Sequence, residues 1–594
     1  MIVRLFFLLL AITTIPMATA QRPTLSDDLP LIDRPWSNDG EKFSFVILGD
    51  KTSGGEGKWP IYDRAVDAIN LLKPDFVITV GDMIPGHMET RPEWDAEWAE
   101  YMAHAKRIEA PLFLTVGNHD IANLACYEFW REDFGRTYYS FDYKGCHFLI
   151  FNTEEERIDG RGPAWRRMMD WVKTDLDAAS GARHTYVFFH KPMWDDPRFV
   201  GDWAELETAL GTRPFTAVAG HEHYHSTDIR NGNTYVIQSA TGGGIQLSDV
   251  KKWGGFHSFG FVTVDGAESR YAVVEPEGGI WPVDVAPAAF RKAINSELVR
   301  ADAKPGADFS SGSAQVEVAF SLSNVLDKDI ELRIVLEDFA ETGWQVRSGQ
   351  GWSEKEGNLV YAANLSRGTR ASVPLLLEVP RERAAFPPNV GVHVRYDGAW
   401  IEKESMRMAE INTLPLHPVS SYKAAPALRI VGPFVLGPID TSHLPEHPEK
   451  ANAGLVRPWG PEDGAAPGPF EGGLTWRGIT PQGFGLINAN ALLGTLDGAA
   501  AYVACAVHSP EDQRTHAIIA ADNFSQTYVN GALVASGQGF GAPGDFVYPE
   551  LALKKGWNHV VVKLINNKAD WFLRFVIADP MGNLSLAADA PSGE

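Results

Sequence analysis

The sequence predicts a multidomain chain in which an α/β domain over residues 41–285 is followed by two all-β sandwich domains, over 290–412 and 427–594. Three observations predict it. At 594 residues the chain is too long for a single hydrophobic core. From Glu41 to about Pro276, short β-branched runs alternate with amphipathic helical stretches, the pattern of strands joined by crossover helices. From about residue 290 onward the strand-like runs continue without helical stretches between them.

The amino end comes first. Residues 1–20, MIVRLFFLLLAITTIPMATA, combine one basic residue near the start, an apolar run too short to span a bilayer and a small-residue ATA before Gln21. This is the pattern of a secretory signal peptide. No cysteine follows the ATA, which argues against a lipid anchor, and no later stretch is apolar enough to span. A secreted or periplasmic protein with no integral membrane segment after signal cleavage is expected. Its formal charge of −23 argues against a nucleic-acid polymer or an anionic membrane as partner, but leaves room for a small phosphorylated substrate where cations gather locally. The 3 cysteines exclude a disulfide scaffold; Cys126 and Cys146 are open to pairing, against the expectation that Cys146, in the strand-like YKGCHFLIF, is a small buried hydrophobe.

Within 41–285, FSFVILGD, DFVITVGD, PLFLTVGNHD, CHFLIFNT, TYVFFHK and FTAVAGHEH read as strands. Between them IYDRAVDAINLL, PEWDAEWAEYMAHAKRI, PAWRRMMDWVKTDLDAA and DWAELETAL carry apolar residues at helical spacing. After residue 230 only strands follow: NTYVIQSA, FGFVTVD and YAVVEP. QVEVAFSLSN, IELRIVLED, ASVPLLLEV and VGVHVRYD then alternate as strands with one buried face, which fits an immunoglobulin-like sandwich over 290–412. The proline-rich stretch around TLPLHPVSSYKAAP predicts a linker over 413–426. The final region, with ADNFSQTYVNGALVASG and LALKKGWNHVVVKLIN, resembles the jelly-roll, galactose-binding-like modules of secreted carbohydrate-active enzymes, and a glycan is its expected partner.

The ends of the first domain's strands carry Asp50, Asp82, Asn118 with His119, His190, and His221 with His223. In an α/β sheet, residues at the carboxyl ends of strands converge on one crevice even when far apart in sequence. Taken singly, an aspartate after a strand often caps a helix, and a lone histidine is usually structural. Neither explains the same placement at five strand ends.

Together GD at 49–50, GD at 81–82, GNHD at 117–120, the histidine of FFHKP and GHEH at 220–223 resemble the calcineurin-like metallophosphoesterases in order, spacing and strand context. The resemblance implies a four-layer α/β fold of two mixed β-sheets flanked by helices. It implies two divalent metal ions (Mn, Zn or Fe), one held by Asp82, Asn118, His190 and His221 and the other by Asp50, His223 and the shared Asp82. It further implies hydrolysis of a phosphate monoester or diester by a metal-activated hydroxide, with His119 assisting the leaving group and Asp120 orienting His119.

The chain departs from the family pattern around the first aspartate's metal site, at two positions. Most members have a histidine two residues after the first aspartate, where this chain has Thr52; the purple acid phosphatase branch has a tyrosine where this chain has Pro85. The Asp50 site is therefore expected to bind its ion more weakly, with Thr52 hydrogen-bonding nearby and His87 as a candidate further ligand. A catalytically weak relative acting mainly as a surface-binding protein is the alternative reading. Lys51 and Thr52, with the glycines of KTSGGEG, are candidates to hold a phosphate oxygen, against the reading of this stretch as a solvated surface loop. Trp194 is open between stacking on a leaving group and covering the core. His225 and His257 are excluded from the ligand set.

Overall fold

The computed structural model describes residues 41–52, 59–159, 162–196, 198–303, 312–380, 383, 388–402, 422–440, 444, 447–482, 485–494, 496–540, 546–547, 549–567, 571–579 and 581–591. The leader at 1–20 and the glycines of KTSGGEG lie outside the described residues, as does 413–421 of the linker. The chain divides into two compact units, one of residues up to 247 with 254–286, the other of 248–253 with 287–594.

In the first unit the elements follow from periodicity and caps. Strand β1 (Phe43–Leu48) leads to helix α1 (Trp59–Leu72), which buries Tyr62, Ala65, Val66 and Ile69, one face at helical spacing. Strand β2 (Phe76–Thr79) precedes α2 (Arg91–Ala105), whose start is set by a Thr90–Glu93 capping box and a proline in the first turn. Next come β3 (Leu112–Phe113), α3 (Leu124–Asp133), β4 (Tyr139–Tyr143), β5 (Cys146–Ile150) and α4 (Glu156–Asp159). Helix α5 (Pro163–Ala178) buries Trp165, Met168, Met169, Val172 and Leu176 and is followed by β6 (Thr185–Phe188), α6 (Val200–Leu210) and β7 (Phe215–Ala219). The unit ends in β8 (Ser226–Arg230), β9 (Asn233–Ile237), β10 (Phe259–Asp265), β11 (Glu268–Glu275) and β12 (Gly279–Pro282).

These strands form two mixed six-stranded sheets, ordered β12-β11-β10-β1-β2-β3 and β4-β5-β6-β7-β9-β8. In the first, β1, β2 and β3 run parallel; in the second, β5, β6, β7 and β9 do. Phe45, Phe76, Phe113, Phe141, Phe148, Tyr186 and Phe188 form a shared core between the sheets, with Phe45 and Phe76 stacked at 5.2 Å and Phe141 and Phe148 at 4.9 Å. Each buried phenyl contributes about 2–3 kcal/mol, which fixes one sheet against the other. The outer face of the first sheet is covered by α1, α2 and α3, and that of the second by α5 and α6.

His147 on β5 is enclosed between Asp142 at 2.8 Å and Asp175 at 2.9 Å. Burial alone would lower its pKa, but the two carboxylate hydrogen bonds outweigh it and hold the ring at about 9. A pKa raised above the unfolded value of about 6.5 stabilises the fold fully below that pH and is lost as pH rises through 9. Urea unfolding of wild type is therefore expected to weaken between pH 6.5 and 9 by about 1–2 kcal/mol relative to His147→Gln; parallel pH profiles of the two proteins would contradict this.

In the second unit, a four-stranded sheet containing Ser313–Ser323 and Arg370–Pro380 and a five-stranded sheet containing Ile330–Glu337 and Asn389–Tyr396 share one core. Val250 and Trp253 join that core, which is why 248–253 belongs to this unit. Further on, HAIIAADNFSQTYV lies in one long strand, Gln513–Val529. It pairs through Ala517–Ala521 with one neighbour and through Phe524–Val529 with another. Its hairpin turn has Asn530 and Gly531 both at positive φ, 50° and 82°. Tyr422–Lys423 adds an edge strand to the 572–578 strand, with Lys423 paired to Asp579, so the carboxyl end of the expected linker is part of the sheet.

Candidate metal centre

Every ligand candidate stands just past a strand's carboxyl end: Asp50 after β1, Asp82 after β2, Asn118 after β3, His190 after β6, His221 and His223 after β7. Because β1 to β3 lie in one sheet and β6 and β7 in the other, the aromatic layer between the sheets brings the two sets together. Asp82, His221 and His223 adopt left-handed backbone, at φ 61°, 73° and 54°. Such conformations cost about 1 kcal/mol or more each and persist where surroundings over-determine them. Two glycines of the repeated sequences are required by close approach. A Cβ on Gly117 would lie 2.2 Å from Asp82 Oδ1, and one on Gly220 would lie 2.7 Å from Asp50 Oδ2.

The proton positions follow from the acceptors. His190 Nδ1 lies 2.9 Å from the Val80 carbonyl, which can only accept, so that nitrogen carries the proton. Its Nε2 then faces Asn118 Oδ1 at 2.9 Å, Asp82 Oδ2 at 3.2 Å and His221 Nδ1 at 3.2 Å. Asn118 Oδ1 and Asp82 Oδ2 can only accept, so their crowding on Nε2 calls for positive charge there, from a proton or a cation. The same demand appears in the titration: burial would lower the His190 pKa, but Asp82, by charge and hydrogen bond, and then Asp50 draw it up to about 10. His221 is pushed down to about 3, by burial and by the neighbouring His190, as suits a neutral ligand. Asp82 is held far below the usual carboxylate range, because His190 and His119 outweigh its burial.

On the other side, His223 Nδ1 donates to the Gly244 carbonyl, which leaves Nε2 directed at Asp50, 3.8 Å from Oδ1. Asp50 is fully buried; its Oδ1 accepts from His221 N at 3.1 Å, and its Oδ2 has no hydrogen-bond partner among the described residues. Burial raises its pKa. An orphaned buried carboxylate oxygen costs several kcal/mol unless a cation meets it. Two groups, Asp82 with His190 and His221, and Asp50 with Asp82 and His223, each bring one ligand atom per residue within 4.8 Å of the others. Asp82 belongs to both. The residues present thus fit a pair of cations bridged by one carboxylate.

Four sequence expectations change. Asp120 does not orient His119: its buried carboxylate accepts the backbone N–H of Asp82 at 2.7 Å, Met83 at 2.8 Å and Gly117 at 2.8 Å, binding the two ligand loops together. Burial and the charge of Asp82 push its pKa up to about 7 against those three donors. His119 Nδ1 instead meets the Pro85 carbonyl at 2.6 Å, while its backbone N–H donates to Asp82 Oδ1 at 2.8 Å. The Thr52 hydroxyl is buried and turned to the carbonyls of Asp82 and Ile84, at 2.9 and 2.8 Å, so it supports the ligand loop and is not presented to substrate. Lys51 is also buried, its ammonium over the Trp59 ring 3.9 Å from the centroid, a stacked and not a solvated lysine. His87 joins neither ligand group; its ring lies 5.1 Å from that of His119.

The open choices also close. Trp194 is buried against Phe189, Trp203 and Tyr235 in the core under the second sheet. His225 Nε2 is held by the Val283 carbonyl at 2.7 Å, and Cys126 and Cys146 are free and buried. What sequence reading missed are the groups behind the ligands: the carbonyls of Val80, Pro85 and Gly244, and the buried pair Lys191–Glu154 at 2.8 Å beside His190. Carbonyls leave no trace in a sequence, although a lysine directly after a ligand histidine was a visible signal.

Residues 43–225 match the family model described as Calcineurin-like phosphoesterase, so the first unit contains a domain of that kind. Among solved structures the chain is similar to a dimetal phosphatase from Danio rerio, at 13% identity over 41% of this chain and 99% of that chain, with a TM-score of 0.32. It is similar to the purple acid phosphatase PPD1 from yellow lupin (Lupinus luteus) seeds, at 14% identity over 42% and 54%, TM-score 0.33. It is also similar to GAP50, the anchor in the inner membrane complex of Plasmodium, at 12% identity over 41% and 89%, TM-score 0.34. No curated protein matches the chain. No helix among the described residues is long and apolar enough to cross a membrane.

Proposed function

We propose that the first unit is an exported, metal-dependent phosphoesterase hydrolysing a phosphate monoester or diester. Asp82, Asn118, His190 and His221 would hold one divalent cation, and Asp50, Asp82 and His223 a second. The observation that carries the reading is the pair of ligand groups sharing Asp82, with the acceptor oxygens of Asn118 and Asp82 crowded on His190 Nε2. Mn, Zn or Fe(II) suits this donor set of carboxylate, amide and imidazole, and such ions lower the pKa of bound water and polarise the phosphoryl group.

The chain's own residues supply the rest. Val80 and Gly244 carbonyls fix the tautomers of His190 and His223 so that Nε2 faces the centre. Pro85 accepts from His119 Nδ1–H, which directs Nε2 outward, and as the imidazolium His119 would give its Nε2 proton to the leaving oxygen and return to the neutral ring. Asp120 and Thr52 keep the Asp82 loop in place. With Thr52 turned to carbonyls, the Asp50 group has fewer protein ligands than the other, which supports weaker retention of that ion. The apolar leader supports export. For the second unit, immunoglobulin-like and galactose-binding-like architectures remain the reading. One face of its last sheet, including Val431, Tyr502 and Phe524, is packed by the chain's own Leu444, Leu455, Trp459 and Trp476, which removes that face as a glycan surface.

The test is turnover of para-nitrophenyl and bis-para-nitrophenyl phosphate by metal-stripped and metal-reconstituted full-length protein. Hydrolysis that appears only on reconstitution is expected; none in either state would reject the enzymatic reading in favour of a catalytically degenerate relative.

A further inference from the structure

His87 sits in the loop between β2 and α2, and this loop is clamped more tightly than its surface position requires. Gly86 N donates to Glu97 Oε2 at 2.8 Å, the Met88 carbonyl accepts from Asn123 Nδ2 at 2.9 Å and lies 3.1 Å from Cys126 Sγ, and the Ile84 carbonyl meets the Thr52 hydroxyl at 2.8 Å. The loop is also pressed on His119 itself. A Cβ on Gly86 would stand 1.9 Å from the His119 carbonyl oxygen, so only glycine fits there. Held this way, His87 keeps a left-handed backbone at φ 67°, unusual for a non-glycine residue and tolerated where a side chain must be aimed.

The result is a pair of imidazoles. The rings of His87 and His119 are 5.1 Å apart and perpendicular at 89°, both half-buried and outside both ligand groups. His119 has Nδ1 tied to Pro85, so its free edge is Nε2. With the centroids 5.1 Å apart, a substituent a few bonds from an oxygen at that Nε2 is long enough to reach the His87 ring.

We infer that His87 is a second leaving-group residue, contacting a hydrogen-bonding substituent next to the oxygen that His119 protonates. The site then favours phosphate esters of polyols or sugars, whose departing oxygen has a neighbouring hydroxyl, over simple aryl esters. This rests on the phosphoesterase reading above. The chemistry is unchanged: the P–O bond to the leaving oxygen breaks, water oxygen bonds to phosphorus, and the proton on the product alcohol comes from His119. His87 adds recognition, worth about tenfold per well-placed hydrogen bond.

Two measurements test it on the metal-loaded full chain. In the first, kcat/KM is compared for glycerol 3-phosphate and para-nitrophenyl phosphate. His87→Ala is expected to lower the polyol ester at least tenfold more than the aryl ester, with partial rescue by His87→Gln; equal losses on both would mark a structural role and overturn the inference. In the second, imidazole Cε1–H resonances of histidine-labelled protein are followed with 3,4-dihydroxybutyl phosphonate, a non-hydrolysable analogue of glycerol 3-phosphate. Shifts of both His119 and His87 are expected. A shift of His119 alone overturns the role of His87 and leaves the phosphoesterase standing. A shift of neither, with no metal-dependent turnover in wild type, overturns both.

Discussion

Asp82→Asn is expected to lower kcat/KM by about 10³-fold or more, about 4 kcal/mol of transition-state stabilisation, and to release both cations at once. The reason is geometric. Asp82 is the one residue common to both ligand groups, with Oδ2 toward His190 and Oδ1 accepting the His119 N–H. An asparagine preserves that backbone hydrogen bond through its amide oxygen, so the loop keeps its shape while the negative charge between the cations disappears. Because the Asp82 charge pairs with the buried His190 ring and its pKa is depressed in the fold, the metal-free variant should also be less stable than wild type. Kinetics together with elemental metal analysis checks this. A variant that kept one ion firmly and lost less than tenfold in activity would show that Asp82 serves one site only.

His119→Ala should lower kcat by about 10²–10⁴-fold while both metal occupancies stay at wild-type values. This separation is expected because His119 touches the metal ligands through its backbone N–H, which any side chain at 119 retains, and not through its ring. Esters with poor leaving groups should suffer most, since an alkoxide needs the proton that a nitrophenolate does not. Loss of metal in parallel with activity would instead make the ring a structural element of the ligand cluster.

The ligand set was legible because each residue occupies the end of a β-branched run, and strand ends are where an α/β fold gathers chemistry. The long helices were legible from the spacing of residues such as Trp94, Trp98 and Tyr101. Helix α3 was not, since only Cys126 and Trp130 of its ten residues are buried, too few to mark a helical face. Edge strands β4 and β8 are short and partly polar, and the pairing of β10 with β1 spans some two hundred residues, beyond any local pattern. Asp120 was misread for a related reason. Adjacency to His119 says nothing about direction, and the turn after β3 aims the carboxylate inward to three backbone amides. Thr52 has a ligand's place in sequence, and its hydroxyl makes the hydrogen bonding expected near the site, to carbonyls, leaving none for a phosphate oxygen.

The most direct measurement is anomalous scattering at the Mn, Fe and Zn edges from crystals of metal-reconstituted protein. Expected are two peaks, one on each side of the Asp82 carboxylate, with the peak beside His190 and His221 at the higher occupancy and that beside Asp50 and His223 at the lower. A single peak that Asp82 does not touch, or none within the reach of these six side chains, would contradict a shared dinuclear centre.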